Sequence, residues 1–171
     1  STSQAFYYIQ SVTINGENIA PEDWVGTFNG EVCVGAQKWD TSLCGGGVCG
    51  IPIMGDDGNE GTMGYMQAGD IPTFIIYDLS GDVFYNAFPS QDYPWENNGI
   101  YLIDVLRTEE NVTIWIDWEG LGDYPTIQLG INAAYNGDTV MVKDGVYSGE
   151  GNIDLDFDGK AITLISEAGA E

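Results

Sequence analysis

Gln4-Ala-Phe-Tyr-Tyr-Ile-Gln-Ser-Val-Thr-Ile14 runs straight into Asn15-Gly16. Aromatic and β-branched residues alternate with smaller or polar ones along the run, the period-2 pattern of a half-buried strand. Asn-Gly supplies the two positive-φ positions that a tight hairpin turn needs. The same arrangement recurs: Asp23–Phe28 and Glu31–Trp39 flank Asn29-Gly30, and Thr73–Asp78 and Asp82–Ala87 flank Leu79-Ser80-Gly81. A loop rich in Gly, Asp, Met and Pro separates these pairs, from Thr41 to Asp70, and Ile100–Leu106 is a last strand before Arg107-Thr-Glu-Glu110. Short strands at this spacing, joined by polar turns, predict a β-sandwich over residues 1–108.

Composition agrees with an all-β fold. Of 171 residues 43% are hydrophobic and 12% aromatic, enough to build a packed core, and 24 glycines punctuate the short apolar runs. The charge is lopsided, with 27 Asp and Glu against four cations (Lys38, Arg107, Lys143 and Lys160) and a formal net charge of −23. A surface of that sign repels phosphate backbones and anionic lipid, which excludes nucleic-acid and membrane-surface roles. It suits high salt or divalent cations, and it also simply keeps a protein soluble. No stretch approaches the roughly 20 apolar residues of a membrane span.

The chain opens on Ser1, as a processed secreted protein does, and the cysteines point the same way. Cys44 and Cys49 bracket three glycines in Cys-Gly-Gly-Gly-Val-Cys, a segment flexible enough for the two sulfurs to meet in an oxidising compartment. Cys33, within the apolar run Glu31-Val-Cys-Val-Gly35, reads as a buried free thiol; the alternative pairs it with one of the other two. With no histidine in the chain, a zinc shell from these cysteines is disfavoured, and Ser-His and Cys-His nucleophilic pairs are impossible. Paired carboxylates can hydrolyse glycosides, but among 27 acids two neighbours carry no information. The expectation is a protein that is not an enzyme by itself.

From residue 109 to 171 the pattern changes. Val112-Thr-Ile-Trp-Ile116 is a strand, and Tyr124–Tyr135 places Ile127, Ile131 and Ala134 at helical spacing, with Pro125 near its start and Asn136-Gly137 at its end. Asp138-Thr-Val-Met-Val142, a turn at Lys143-Asp-Gly145, and Val146-Tyr147 follow. Asn152-Ile-Asp-Leu-Asp-Phe-Asp158 alternates strictly, which predicts a strand with Ile153, Leu155 and Phe157 inward and Asp154, Asp156 and Asp158 on the outer face. Gly159-Lys160 turns into the last strand, Ala161-Ile-Thr-Leu-Ile165.

Five of these motifs, Tyr124-Pro-Thr-Ile-Gln128, Ile131-Asn-Ala-Ala134, Asn136-Gly-Asp-Thr-Val140, Val142-Lys-Asp-Gly-Val-Tyr147 and Gly159-Lys-Ala-Ile-Thr163, fall in the order found at the opening of a right-handed parallel β-helix. Residues 122–171 resemble that pectate-lyase-like family. The resemblance implies an amphipathic helix that plugs the coil and strands stacked rung on rung. Members continue for many rungs, whereas one or two are present here. The first region, through Asp23-Trp-Val-Gly26, Phe28-Asn-Gly-Glu-Val-Cys-Val-Gly35, Met54-Gly-Asp-Asp-Gly58 and Gly69-Asp-Ile-Pro-Thr-Phe74, resembles β-sandwich modules of large secreted bacterial surface proteins. That likeness implies attachment or display.

A rung cannot bury its apolar face alone, and about three are needed for stability. The last strand therefore leaves Ile162 and Leu164 as candidate self-association residues, completed by further rungs or by another subunit meeting it head-to-tail. The favoured function is a self-associating subunit of an extracellular filament or surface layer. The alternatives are a carbohydrate-binding adhesion module of a larger secreted protein and the N-terminal part of a β-helix enzyme acting on polysaccharide. Two further sites fit these readings. Asp56, Asp57, Asn59 and Glu60, in a glycine-punctuated loop, are candidate calcium ligands, against the plainer reading of a solvated turn. Tyr93, Trp95 and Asn97 combine rings and an amide as a polysaccharide site would, although such rings more often belong to a core; Trp115 and Trp118 flank Asp117 in a similar way. Asn111-Val-Thr113 matches a glycosylation acceptor, a weak signal.

Overall fold

The computed structural model describes residues 1–109 and 111–169, so positions 110, 170 and 171 of the expected second region lie outside the described residues. Contacts divide the chain into two compact units at Glu109, one residue from the expected boundary.

In the first unit every expected hairpin forms. β1 (Gln4–Ile14) turns at Asn15-Gly16, both with positive φ, into the short β2 (Glu17–Asn18). β3 (Trp24–Asn29) pairs with β4 (Val32–Lys38), and β6 (Thr73–Asp78) with β7 (Val83–Pro89). The second of these turns is held by the Asp78 carboxylate, which accepts from the Ser80 and Gly81 amides. β8 (Ile100–Arg107) runs parallel to β1, an arrangement that no hairpin signal announces.

Inside the expected Thr41–Asp70 loop lies one further strand, β5 (Cys49–Met54), antiparallel to β1. Its Cys49, Ile51 and Ile53 are buried in alternation, whereas Gly50 and Pro52 disguise the run. Pro52 is tolerated because β5 joins the ladder through β1 alone. The result is one curled, mixed, eight-stranded sheet with the path β2-β1-β8-β7-β6-β3-β4, in which β4 packs against β5. The sheet curls because β7 and β8 share only two residue pairs, Phe88 with Arg107 and Pro89 with Leu106. The strands on either side of that joint face each other across one core, which includes Tyr7, Ile9, Ile51 and Ile103 from one side and Val25 and Ile76 from the other.

Two cysteine expectations resolve differently. Cys44 and Cys49 form a disulfide, with Cα atoms 5.1 Å apart. Cys33 is free but exposed, not buried: Val34 points into the core, so strand alternation turns its neighbour outward.

The second unit is a short stack. β9 (Thr113–Ile116), β10 (Thr139–Val142) and β11 (Thr163–Ser166) form a parallel three-stranded sheet in strict register, with Ile114, Val140 and Leu164 in one inward row. Helix α1 (Ile127–Ala133) covers the stack, with Ile131 fully buried. Gly130 makes this possible, since a Cβ there would lie 2.3 Å from Cδ1 of Ile116. The helix is shorter than the expected Tyr124–Tyr135, and β11 begins two residues after the expected Ala161.

One expected strand is absent. Asn152–Asp158 is a wrapping turn with positive φ at Asp154 and Asp158. Ile153 is 58% exposed rather than inward, and the three aspartates share no strand face. The reason is tertiary. This segment spends its polar atoms on α1: Asn152 Oδ1 accepts from the Ile127 amide at 3.0 Å, Gly151 O accepts from the Gln128 amide, and the Gln128 side chain bonds both backbone groups of Asp156. Lys160 then caps the other end of the helix, donating to Ile131 O and Asn132 O at 3.0 and 2.7 Å.

Candidate functional site

The two edges of the parallel stack are unlike. At β9 the edge is sealed: the Asp123 and Tyr124 amides donate to Trp115 O, the Asp117 amide donates to Tyr124 O, and the Trp115 amide donates to Asp123 Oδ2 at 2.7 Å. At β11 the Thr163 and Glu167 amides donate to Asp138 O and Val142 O. Alternate residues of a parallel strand address alternate neighbours, so Leu164 and Ser166 direct their backbone groups away from β10. Among the described residues, β11 is the outer strand of its sheet.

Side chains follow the same gradient. Val140 is fully buried and Ile114 nearly so, whereas Ile162 and Leu164 pack on the cluster only half-covered and Ile165 is 43% exposed. Of the expected self-association residues, Leu164 ends the inward row and Ile162 precedes β11, both half-covered.

What aligns this edge is a residue that sequence reading passed over. Asp138, fully buried, accepts from the Val112 amide through Oδ1 at 2.8 Å and from the Tyr135 amide through Oδ2 at 2.9 Å, while its carbonyl receives Thr163. One residue therefore ties together the approaches to β9, α1 and β11. Its neighbour Asn136 accepts from the Ala161 amide, and the Gly137 amide donates to Ala161 O. The signal lay in the Asn136-Gly-Asp138 motif, which reads as a plain turn until the register of three strands is known. Across the stack, the nearly buried Asp117 meets Lys143 Nζ at 3.2 Å. Its carboxyl is held below the usual range, first by the Glu119 amide and then by Lys143.

Asp56 and Asp57 converge on the Thr62 hydroxyl at 3.0 and 2.9 Å, and Asp57 also accepts from the Thr2 amide and the Asn59 side-chain amide. These donors, the Thr2 amide foremost, hold the Asp57 carboxyl well below the ordinary range. Asn59 and Glu60 are exposed, and among the described residues no three acidic or cysteine side chains gather as a metal-holding group. The loop is thus held by its own hydrogen bonds.

Tyr93, Trp95 and Asn97 do not form a sugar platform. Trp95 is 3% exposed and donates from Nε1 to Ile53 O, with its ring against Gly55. Tyr93 stacks on Tyr101, and Asn97 accepts from the Gln4 amide. Burial of Trp95 in the core removes the face a sugar would need. Trp118, by contrast, is 54% exposed.

Among the described residues no helix is long and apolar enough to cross a membrane. No protein-family description, no curated protein and no solved structure matches this chain.

Proposed function

We propose that the protein is a non-enzymatic extracellular structural protein that associates with copies of itself. In this reading the first unit is a β-sandwich module of the secreted surface type. The second is the helix-capped opening of a right-handed parallel β-helix, whose β11 edge is completed head-to-tail by a strand of another copy. The observation that carries it is the asymmetry of the parallel sheet: the β9 edge is sealed by Asp123 and Tyr124, while the β11 edge presents the Leu164 backbone and the Ser166 amide beside half-covered apolar side chains, the Ser166 carbonyl receiving the Gly169 amide. An edge of this kind is a template for another strand. The Cys44–Cys49 disulfide supports an oxidising, extracellular setting.

Calcium belongs to the same reading. Copies carrying a formal charge of −23 repel one another, and divalent cations reduce that cost. The test is the mass distribution of the native protein across concentration, with and without calcium. Association that rises with concentration and weakens on chelation is expected. Ser166→Pro removes an outward-facing edge donor at an exposed position and should abolish association, whereas Ser166→Ala, which loses the same hydroxyl bond to Gly169 O but keeps the amide, should associate like wild type. A wild-type chain that stays monomeric at the highest soluble concentration, and melts in one sharp transition, overturns the proposal.

A further inference from the structure

On the outer face of the first unit, strand register lines up side chains that the core does not use. Trp24 stands opposite Tyr77, and Tyr77 opposite Phe84, in one cross-strand row over β3, β6 and β7. Tyr77 and Phe84 stack with centroids 4.5 Å apart. Two residues along the strands the next row is low: Ala36, Gly26, Ile75 and Asn86. Beyond it Cys33, Phe28 and Thr73 form a third row. The rows of Trp24 and Phe28 are about 13 Å apart at strand rise, with the low row as the floor between them.

The Phe28 ring leans over Gly26, where a Cβ would come within 3.0 Å of it, and forms one wall of the depression. The depression over Gly26 holds about 190 Å³ and is lined almost wholly by apolar groups. At Phe28 and Ile75 it meets a larger one of about 560 Å³, bounded by Ile71 and Phe88, where Thr73, Asn86 and Asp92 add polar groups. The larger volume falls within the range of about 300–1,000 Å³ that small-ligand sites occupy. The walls are accessible, with Trp24 41% and Phe84 69% exposed.

We infer that this cleft binds a neutral polysaccharide. Flat rings offer stacking surface to the C–H faces of sugar rings, while Asn86 and Asp92 in the adjoining depression can donate to or accept from hydroxyls. Charge selects within that class. A chain of formal charge −23, with Asp82 bonded to Tyr77 beside the wall and Asp92 in the cleft, repels a polyanion. An acidic glycan is therefore excluded and an uncharged one is admitted. This assignment moves sugar recognition from Tyr93 and Trp95 to the opposite kind of surface, and it does not depend on the β11 edge.

The test is calorimetric titration of the full chain with cellohexaose, mannohexaose and chitohexaose, using hexagalacturonate as the acidic counterpart. At least one neutral hexasaccharide should bind saturably, and hexagalacturonate should not. Trp24→Ala and Phe84→Ala should each weaken binding about tenfold. Ala36→Phe, which fills the floor from an exposed position, should abolish it with an unchanged melting temperature. The inference falls if no neutral hexasaccharide binds, if hexagalacturonate binds as tightly, or if the three variants bind like wild type. It also falls if those variants dissolve self-association instead, which would make the cleft a contact between copies. Ser166→Pro reports separately on association through β11, so either idea can fail while the other stands.

Discussion

The first unit curls its sheet over one core, whereas the second stacks three parallel strands under a helix and keeps β11 at the outer edge of its sheet among the described residues. In the first, tight turns join three strand pairs, longer connections bring β5 and β8 onto β1, and the sheet curls until β4 lies on β5 and both sides share a core. In the second, parallel strands cannot be joined by tight turns, so Asp138, Asn136, Asn152 and Lys160 hold the crossing segments in place. Antiparallel folding closes locally. Parallel stacking leaves Ile162 and Leu164 half-covered at its outer strand. Similar apolar and β-branched runs thus yield a closed core in one unit and a graded one in the other.

Each unit is most sensitive in its own core. Trp95→Ala removes a buried ring together with its bond to Ile53 O and should destabilise the first unit by about 3–5 kcal/mol. Ile116→Ala, beneath Gly130 of the helix, should cost the second unit about 2–4 kcal/mol. Residue-resolved hydrogen exchange should assign each loss to its own unit. A common loss of protection in β1 and β10 from either variant would show that the units do not unfold separately.

A smaller effect tests whether side chains replace turns in the stack. Asn152→Ala leaves the Ile127 amide without its cap and should lower stability by about 1 kcal/mol, read from the urea midpoint of the second unit. No change would mean that the wrapping segment follows the helix and does not hold it.

The mildest probe is acid. Asp57 has a folded-state pKa depressed below its unfolded value, so its contribution is fully present above about pH 4 and is lost as pH falls toward the folded value. Urea titrations at pH 7 and pH 3 should show the first unit weaker at pH 3, and Asp57→Asn should narrow that difference. Asp117 predicts the same direction for the second unit, through the Glu119 amide and Lys143.

Much of the fold could be read in the chain itself. Asn15-Gly16, Asn29-Gly30 and Leu79-Ser80-Gly81 marked their hairpins, the second turn forming one residue later at Gly30-Glu31, because a turn is a local event, decided by which residues accept positive φ or bond to their own backbone. The disulfide was equally local, and a divide near residue 108 follows where one pattern stops and another begins.

Tertiary structure decided the rest, because those choices depend on partners far along the chain. β5 became a strand only where β1 offered an edge, despite Gly50 and Pro52. Asn152–Asp158 has a strand's alternation, yet α1 needed its polar atoms more than a sheet needed its side chains. Trp95 turned inward and Cys33 outward, and the row of Trp24, Tyr77 and Phe84 exists only once three strands are in register. A sequence states what each residue can do nearby, and long-range pairing selects among those options.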